Sequence, residues 1–394
     1  MSARDVVITG IGLVSSLGEG NEAHWSKLTT APPQPVVDAA RFSPYAVHPL
    51  PQIDWGLQIP KRGDQRQMET WQRVGTYGAG LALDDAGIKG NAALCSTMDM
   101  VVAAAGGERD EAVDAAILAA SATRSDIGVL LNEKLTTELR PTLFLAQLSN
   151  LLAGNISIVH NVTGSSRTFM GEEGSAVSAV DVAASRIRSG QSTHALVGGA
   201  FNAEASNTLL SYELGRYLHR GPWRALWDRE GSEGGGVILG SGAAFLVLES
   251  REHAEKRGAR AYARLARVVS GNARRGDGFS AALAKLIAAA DPQGEATLAI
   301  SGASGTHKAT RAEREALEAG GGRAIRAFSS LTGHLKEAQF PFAVALASLA
   351  IQSGNAYPPF DTESEKAFTG KLDAVLATTV GFSQAEGAAL LTSA

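Results

Sequence analysis

The chain has a single cysteine, Cys95, and eight histidines among its 394 residues. One thiol excludes an intrachain disulfide. Cys95 lies just ahead of the apolar run 98–104 and reads as an ordinary buried thiol, because free cysteine is among the most buried residue types. The histidines are scattered, and no pair stands at metal-ligand spacing with a third ligand at hand. There is no P-loop, no GxGxxG after the first strand, no HExxH and no CxxC. Metal and nucleotide chemistry therefore have no support, and no cofactor is expected. Among the carboxyls, Glu173 stands at the head of the apolar stripe at 174–189. A carboxylate at a helix N-terminus is favoured by the dipole and accepts the free backbone N–H groups there. Among the imidazoles, His334 follows directly on Gly333.

These residues need a scaffold, and the rest of the sequence describes one. Val6-Val7-Ile8-Thr9 is a β-branched run ending at Gly10 and Gly12, a buried strand entering a turn. Residues 66–88 have helical spacing. Residues 98–104 read as a second buried strand, and 143–160 as a helix followed by a strand at Ile156-Ser157-Ile158-Val159. The stripe Val177, Val180, Ala184, Ile187 predicts a helix ending at Gly190. Strands are expected at 195–197, 237–239, 244–248, 262–269, 297–300, 324–328, 373–378 and 388–391, with helices at 281–290, 311–318 and 342–351 between them. Alternation of this kind means α/β layers. Strands apolar along their whole length mean sheets covered on both faces.

Composition agrees: 44% apolar residues, 19% charged and 44 glycines describe a globular chain rich in tight turns. A net charge of −4 gives no reason to expect nucleic acid or an anionic membrane as partner. The N-terminal apolar stretch is short and broken by glycines, so it reads as strand and turn and not as a signal peptide. No apolar run approaches the ~20 residues of a membrane span. A cytoplasmic protein is expected.

Six ordered blocks carry a more specific message. They are VVITGIGLVSS (6–16), the segment 164–199 ending in ALVGG, the segment 227–263 containing EGGGVILGSGAAFLVLES, SGASGTHKATRAERE (301–315), AFSSLTGHLKEAQFPFAVALASLAI (327–351) and GFSQAEGAALL (381–391). In order and spacing they resemble the β-ketoacyl-acyl-carrier-protein synthases, from Val6 to Leu391. The resemblance implies a thiolase-like, five-layered αβαβα fold of two similar halves, 1–250 and 251–394.

In that family a cysteine at a buried helix N-terminus takes the acyl chain, two histidines assist malonyl decarboxylation, and a lysine supports them. Carried over without gaps, the cysteine position falls on Glu173, the first histidine on Ser304, the second on His334 and the lysine on Ser329. Gly381-Phe382 matches the turn whose phenylalanine gates the acyl pocket, and Glu386 replaces the asparagine usual just after it. Only His334 is kept. His307 reads as a helix-start or surface residue and Lys336 as solvated, so neither replaces what is missing.

The resemblance thus implies a chain resembling a chain-length factor, the cysteine-less subunit that pairs with an active ketosynthase and shapes its acyl tunnel. The partners it implies are acyl carrier protein and a cysteine-bearing ketosynthase, or a second copy, across an interface on the order of 2,000 Å² or more. Two other readings remain open: an acyl-thioester decarboxylase or hydrolase built on Glu173 and His334, and a module that binds acyl carrier protein without turnover.

Overall fold

The computed structural model describes residues 4–30, 33–141, 143 and 147–394. Its main strands are β1 (Val6–Ser15), β2 (Asp99–Ala103), β3 (Ser166–Phe169), β4 (His194–Phe201), β5 (Gly242–Ser250), β6 (Ala263–Gly271), β7 (Leu298–Ala303), β8 (Ala324–Ala327), β9 (Ala374–Val380) and β10 (Glu386–Thr392). They fall into two sets of one design. In the first, ordered β3-β2-β4-β5-β1, β2 runs parallel to β3 and β4, while β5 is antiparallel to β4 and β1. In the second, ordered β8-β7-β9-β10-β6, β7 runs parallel to β8 and β9, while β10 is antiparallel to β9 and β6. The sets join where Val7 faces Arg264 and Ile8 faces Ala263.

Seven helices cover and separate the two sets: α1 (Thr70–Asp85), α2 (Leu151–His160), α3 (Glu172–Arg188), α4 (Ser206–Leu214), α5 (Phe279–Ala290), α6 (His307–Ala319) and α7 (Gln339–Ser353). α3 touches β2 and β4 of one set and β6 of the other; α7 touches β9 and β7 as well as β5. Both therefore lie between the sheets. Val177, Val180 and Ile187 of α3 share one core with Phe342, Val344 and Leu346 of α7. Residues 339–351 of α7 are buried all round, as an apolar helix between two sheets must be. α1 and α2 cover the outer face of the first set, α5 and α6 that of the second. This is the five-layered, thiolase-like αβαβα fold with two similar halves. No helix among the described residues is long and apolar enough to cross a membrane.

Two sequence expectations need correction. Ile156–Val159 is not a strand but the second half of α2. Leu152, Ala153 and Ile156 lie on one helix face and fill the outer core beside Trp71 and Val74, so packing overrides the β-propensity of the run. The strand of this region is β3, whose sequence SRTF carries little apolar signal. Leu145, part of that helical stripe, lies outside the described residues. Val237-Ile238-Leu239 forms no long strand. Leu239–Gly240 pairs briefly with Val47–His48, Leu239 also bridges His334, and Val237 bridges Leu218.

Candidate active site

β3 leads through Met170 into a sharp turn at Gly171 (φ 128°) and Glu172 (φ 55°), and α3 begins there. Both residues adopt left-handed backbone, which costs a non-glycine side chain energy and often marks a functional site. The turn drives Glu173 inward to 0% exposure. His334 arrives from the other half. The His334 N–H donates to the Ile238 carbonyl at 2.8 Å, and its carbonyl accepts the Gly240 N–H at 3.0 Å. Gly333 must be glycine for this approach, since a Cβ there would lie 2.6 Å from the Gly240 nitrogen and its φ is 69°. Glu173 Oε1 and His334 Nε2 end 2.5 Å apart, both side chains wholly buried. No regularly aligned hydrogen bond from a described residue reaches either group, so each depends on the other.

Lys336 belongs to this site, contrary to the expectation that it is solvated. Its side chain is only 19% exposed, with Nζ 3.4 Å from Glu337 Oε1 and 5.7 Å from the centre of the Phe201 ring. A φ of 45° at Lys336 turns the chain back toward α3 and carries the lysine inside. Burial opposes its charge, but Glu337, Glu172 and Glu173 outweigh that and hold the ammonium above its ordinary pKa. Burial pushes the Glu337 and Glu172 carboxyls up, against the pull of Lys336. Tyr212 of α4, buried beside Glu173, Glu337 and Glu172, is held far into the phenol form, chiefly by burial and then by these carboxylates.

The turn 381–386 closes the site. Gly174 lets it come close: a Cβ there would lie 2.5 Å from the Ala385 Cβ. Ser383 Oγ donates to Glu172 Oε2 at 3.2 Å. Phe382 packs its ring against Tyr217 and Tyr212, 4.5 and 5.0 Å between centroids. Arg275 clasps the turn through the Gly381 and Ala385 carbonyls (2.9 and 3.1 Å) and Glu386 Oε2 (2.8 Å), and Glu386 Oε1 accepts the Ala273 N–H at 2.6 Å.

Ser304 and Ser329 are buried but serve other partners. Ser304 Oγ lies 3.0 Å from Thr306 Oγ1 and accepts the Thr306 N–H. Ser329 Oγ donates to the Ala303 carbonyl at 2.8 Å and accepts from Gln339 Nε2 at 2.8 Å. Gln339 also donates to the Gly302 carbonyl and accepts the Leu335 N–H at 2.7 Å, tying three loops together. Sequence reasoning passed over Gln339; the available signal was a lone amide heading an apolar helix. It also passed over Tyr212 and Glu337, which no spacing marks. Cys95 is buried away from these groups, its Sγ 3.6 Å from the Ile88 carbonyl, and His307 is the first residue of α6.

Residues 3–254 match the family described as β-ketoacyl synthase, N-terminal domain. The chain belongs to the β-ketoacyl synthase family. It is 27% identical over 276 residues to 3-oxoacyl-[acyl-carrier-protein] synthase 2 of Vibrio harveyi, covering 67% of this chain and 62% of that one, so the match spans less than two thirds of the relative. Among solved structures, the ishigamide ketosynthase/chain length factor superposes with a TM-score of 0.79 at 21% identity over 100% of both chains. A type II polyketide ketosynthase in complex with its acyl-carrier protein and bound to the hexaketide, AntDE:AntF, gives a TM-score of 0.75 at 19% identity, again over 100% of both. These structural likenesses establish the fold.

In this member of the family the N-terminus of α3 holds a carboxyl where a thiol nucleophile would profit from the dipole and free N–H groups. A carboxylate is a weaker acyl acceptor than a thiolate, and its charge repels an incoming malonyl carboxylate. What the Glu173–His334 pair can do is share a proton.

Proposed function

We propose that this chain is a non-condensing ketosynthase-like subunit of fatty acid or polyketide biosynthesis. It pairs in the cytoplasm with a cysteine-bearing ketosynthase and helps shape that partner's acyl pocket; acyl carrier protein is the further partner. On this reading Glu173, Ser304, His334 and Ser329 stand at the family's catalytic positions without its chemistry, and Phe382 faces the acyl chain. The observation that carries it is the wholly buried Glu173–His334 contact. A carboxyl fills the place of the nucleophile, engages the one histidine kept there and is shut off from solvent. Ser304 and Ser329 support the same reading, since their hydroxyls are committed to structural bonds. A need for a partner is supported by the helices Glu111–Ser121 and Ile127–Thr137, which expose Leu118, Val129, Leu131 and Leu135 at 71, 53, 37 and 43%.

Co-expression with the cysteine-bearing ketosynthase encoded nearest to it tests the proposal. Malonyl-dependent elongation is expected only from the complex and is unchanged by Glu173→Ala. A second reading, an acyl-thioester decarboxylase or hydrolase, is favoured by the 2.5 Å carboxyl–imidazole contact, an acid–base pair by geometry. Turnover by this chain alone, as a homodimer and lost in Glu173→Ala or His334→Ala, would establish it and overturn the first.

A further inference from the structure

At the start of β4 two imidazoles lie face to face. His194 and His253 stack with 4.6 Å between ring centroids and 9° between planes. His194 opens β4 and pairs across the sheet with Glu249 of β5, while His253 belongs to the short helix Arg251–Lys256. β4 ends at Phe201, which meets Lys336, so the stack lies ~23 Å along the strand from the site described above. The partners fix where the protons are. His194 Nε2 lies 2.9 Å from the Leu94 carbonyl of the short helix Ala92–Thr97. A carbonyl only accepts, so Nε2 carries the hydrogen, and Nδ1 is left to accept from the Thr193 hydroxyl at 2.8 Å. His253 Nδ1 lies 2.5 Å from Glu249 Oε2. Glu249 is wholly buried and has other donors as well: Arg257 Nε donates to Oε2 at 2.8 Å, and Arg257 Nη2 and the Thr9 hydroxyl both donate to Oε1. Burial raises Glu249, but Arg257, Thr9 and His253 outweigh it and hold the carboxyl below its ordinary range.

A further positive charge on His194 is poorly served here. The helix Ala92–Thr97 has no charged residue. On β2, Asp99 is paired with Arg186 at 2.7 Å, and Arg251 leans toward Glu255 at 3.9 Å. Burial first of all, then His253 and Arg257, hold the His194 imidazole below its ordinary 6.5, against the Leu94 carbonyl and Glu249. A proton on Nδ1 also forces the Thr193 hydroxyl to turn from donor to acceptor. We propose that the stacked His194–His253 pair is an acid-sensitive joint, which ties the helix Ala92–Thr97 to β4 and β5 while His194 is neutral and releases it when His194 becomes a cation. The charged ring swings away from His253, and its bond to the Leu94 carbonyl breaks with it. A histidine held below its ordinary value supports the fold while neutral, so the contribution is complete above about 6.5 and is lost as pH falls from there. Between pH 7.5 and 5.5 the open form therefore gains about tenfold. The joint lies within this chain, so it stands whether or not the chain pairs with a ketosynthase.

The single thiol reports the opening, because Cys95 follows Leu94 in the same helix and is buried. The rate at which Cys95 of the purified full chain reacts with 4,4′-dithiodipyridine is measured at pH 7.5 and 5.5. Each rate is divided by that of the urea-unfolded chain at the same pH, which removes the titration of the thiol itself. The normalised rate is expected to rise about tenfold at pH 5.5 in the unaltered chain, and less than about twofold in His194→Gln, whose amide still donates to the Leu94 carbonyl. His253→Gln removes the opposing ring and shrinks the rise as well, so it decides if His194→Gln does not fold. Hydrogen exchange on the same samples should quicken at 92–97 and 251–257 and not in α7. A flat normalised rate in the unaltered chain would overturn the proposal. So would a rise that persists in the folded variants or spreads to α7. Either result would assign the acid sensitivity to other buried histidines, such as His24, which burial holds down to about 4 and whose ring packs on Phe342 of α7.

Discussion

α3 and α7 occupy equivalent places, each following the third strand of its set and lying between the two sheets, yet they begin differently. α7 opens on Gln339, whose amide is satisfied at both ends by the Leu335 N–H, the Gly302 carbonyl and Ser329. α3 carries Glu173 as its second residue, with its carboxyl against an imidazole and no regularly aligned hydrogen bond from a described residue. The first arrangement is a brace: neutral, saturated and passive. The second keeps two ionisable groups in a dry interior, where pairing repays desolvation only if the geometry is very good. One fold therefore uses the same helix start for a saturated amide in one half and for a carboxyl–imidazole contact in the other.

Removing the brace should produce the largest effect. Gln339→Ala leaves a buried N–H, a carbonyl and a hydroxyl without their partner and is expected to destabilise the fold by about 3 kcal/mol, read from the denaturant midpoint. A loss below ~1 kcal/mol would mean that the two helix starts do not differ as described.

The second half also buries a carboxyl of its own, which sharpens the contrast. Glu313 Oε1 accepts from Thr378 Oγ1 (2.5 Å) and Ser301 Oγ (3.1 Å), and burial raises its pKa to about 7. A carboxyl with a folded-state value above its ordinary 4.5 favours folding while protonated. That contribution is complete below about 4.5 and is lost as pH rises to about 7. Glu313→Gln should therefore raise the melting temperature at pH 8 and flatten its fall between those values, an effect of order 1–3 kcal/mol. Identical pH profiles for the two proteins would sink this account.

Next in size is the clasp over α3. Arg275→Ala releases the turn 381–386, and hydrogen exchange there should quicken about tenfold or more, for a local loss of ~1–2 kcal/mol. Unchanged exchange would show that Phe382 and Ala385 hold the turn unaided. The smallest effect is expected at Glu173. Glu173→Gln keeps the shape and exchanges the carboxyl for an amide that can still hydrogen-bond the imidazole, so stability should change by less than ~1 kcal/mol. A fall of ~3 kcal/mol or more would mean that Glu173 is a structural ion as essential as the brace.

Much of this was legible in the sequence. The strand–helix alternation and the stripes of α3 and α7 follow from apolar periodicity, and Glu173 and His334, both singled out in the sequence, meet in the structure. The failures have physical causes. Ile156–Val159 is β-branched, but packing under Trp71 decided its conformation. Lys336 reads as a surface lysine because sequence does not reveal a left-handed φ, and one dihedral carries it inside. Gln339 and Tyr212 act through contacts made across the two halves or between distant elements, which no local spacing records.

The pairing of β1 bears on how the protein is made. Val6 faces Ser250 and Val7 faces Arg264, so during synthesis β1 finds both neighbours only after some 240 further residues. At ~5–20 residues per second, that is roughly 10–50 s with an apolar strand unpaired. An apolar strand that waits so long for its partners is open to wrong pairing with other chains, so slower synthesis or less chaperone should lower the folded yield.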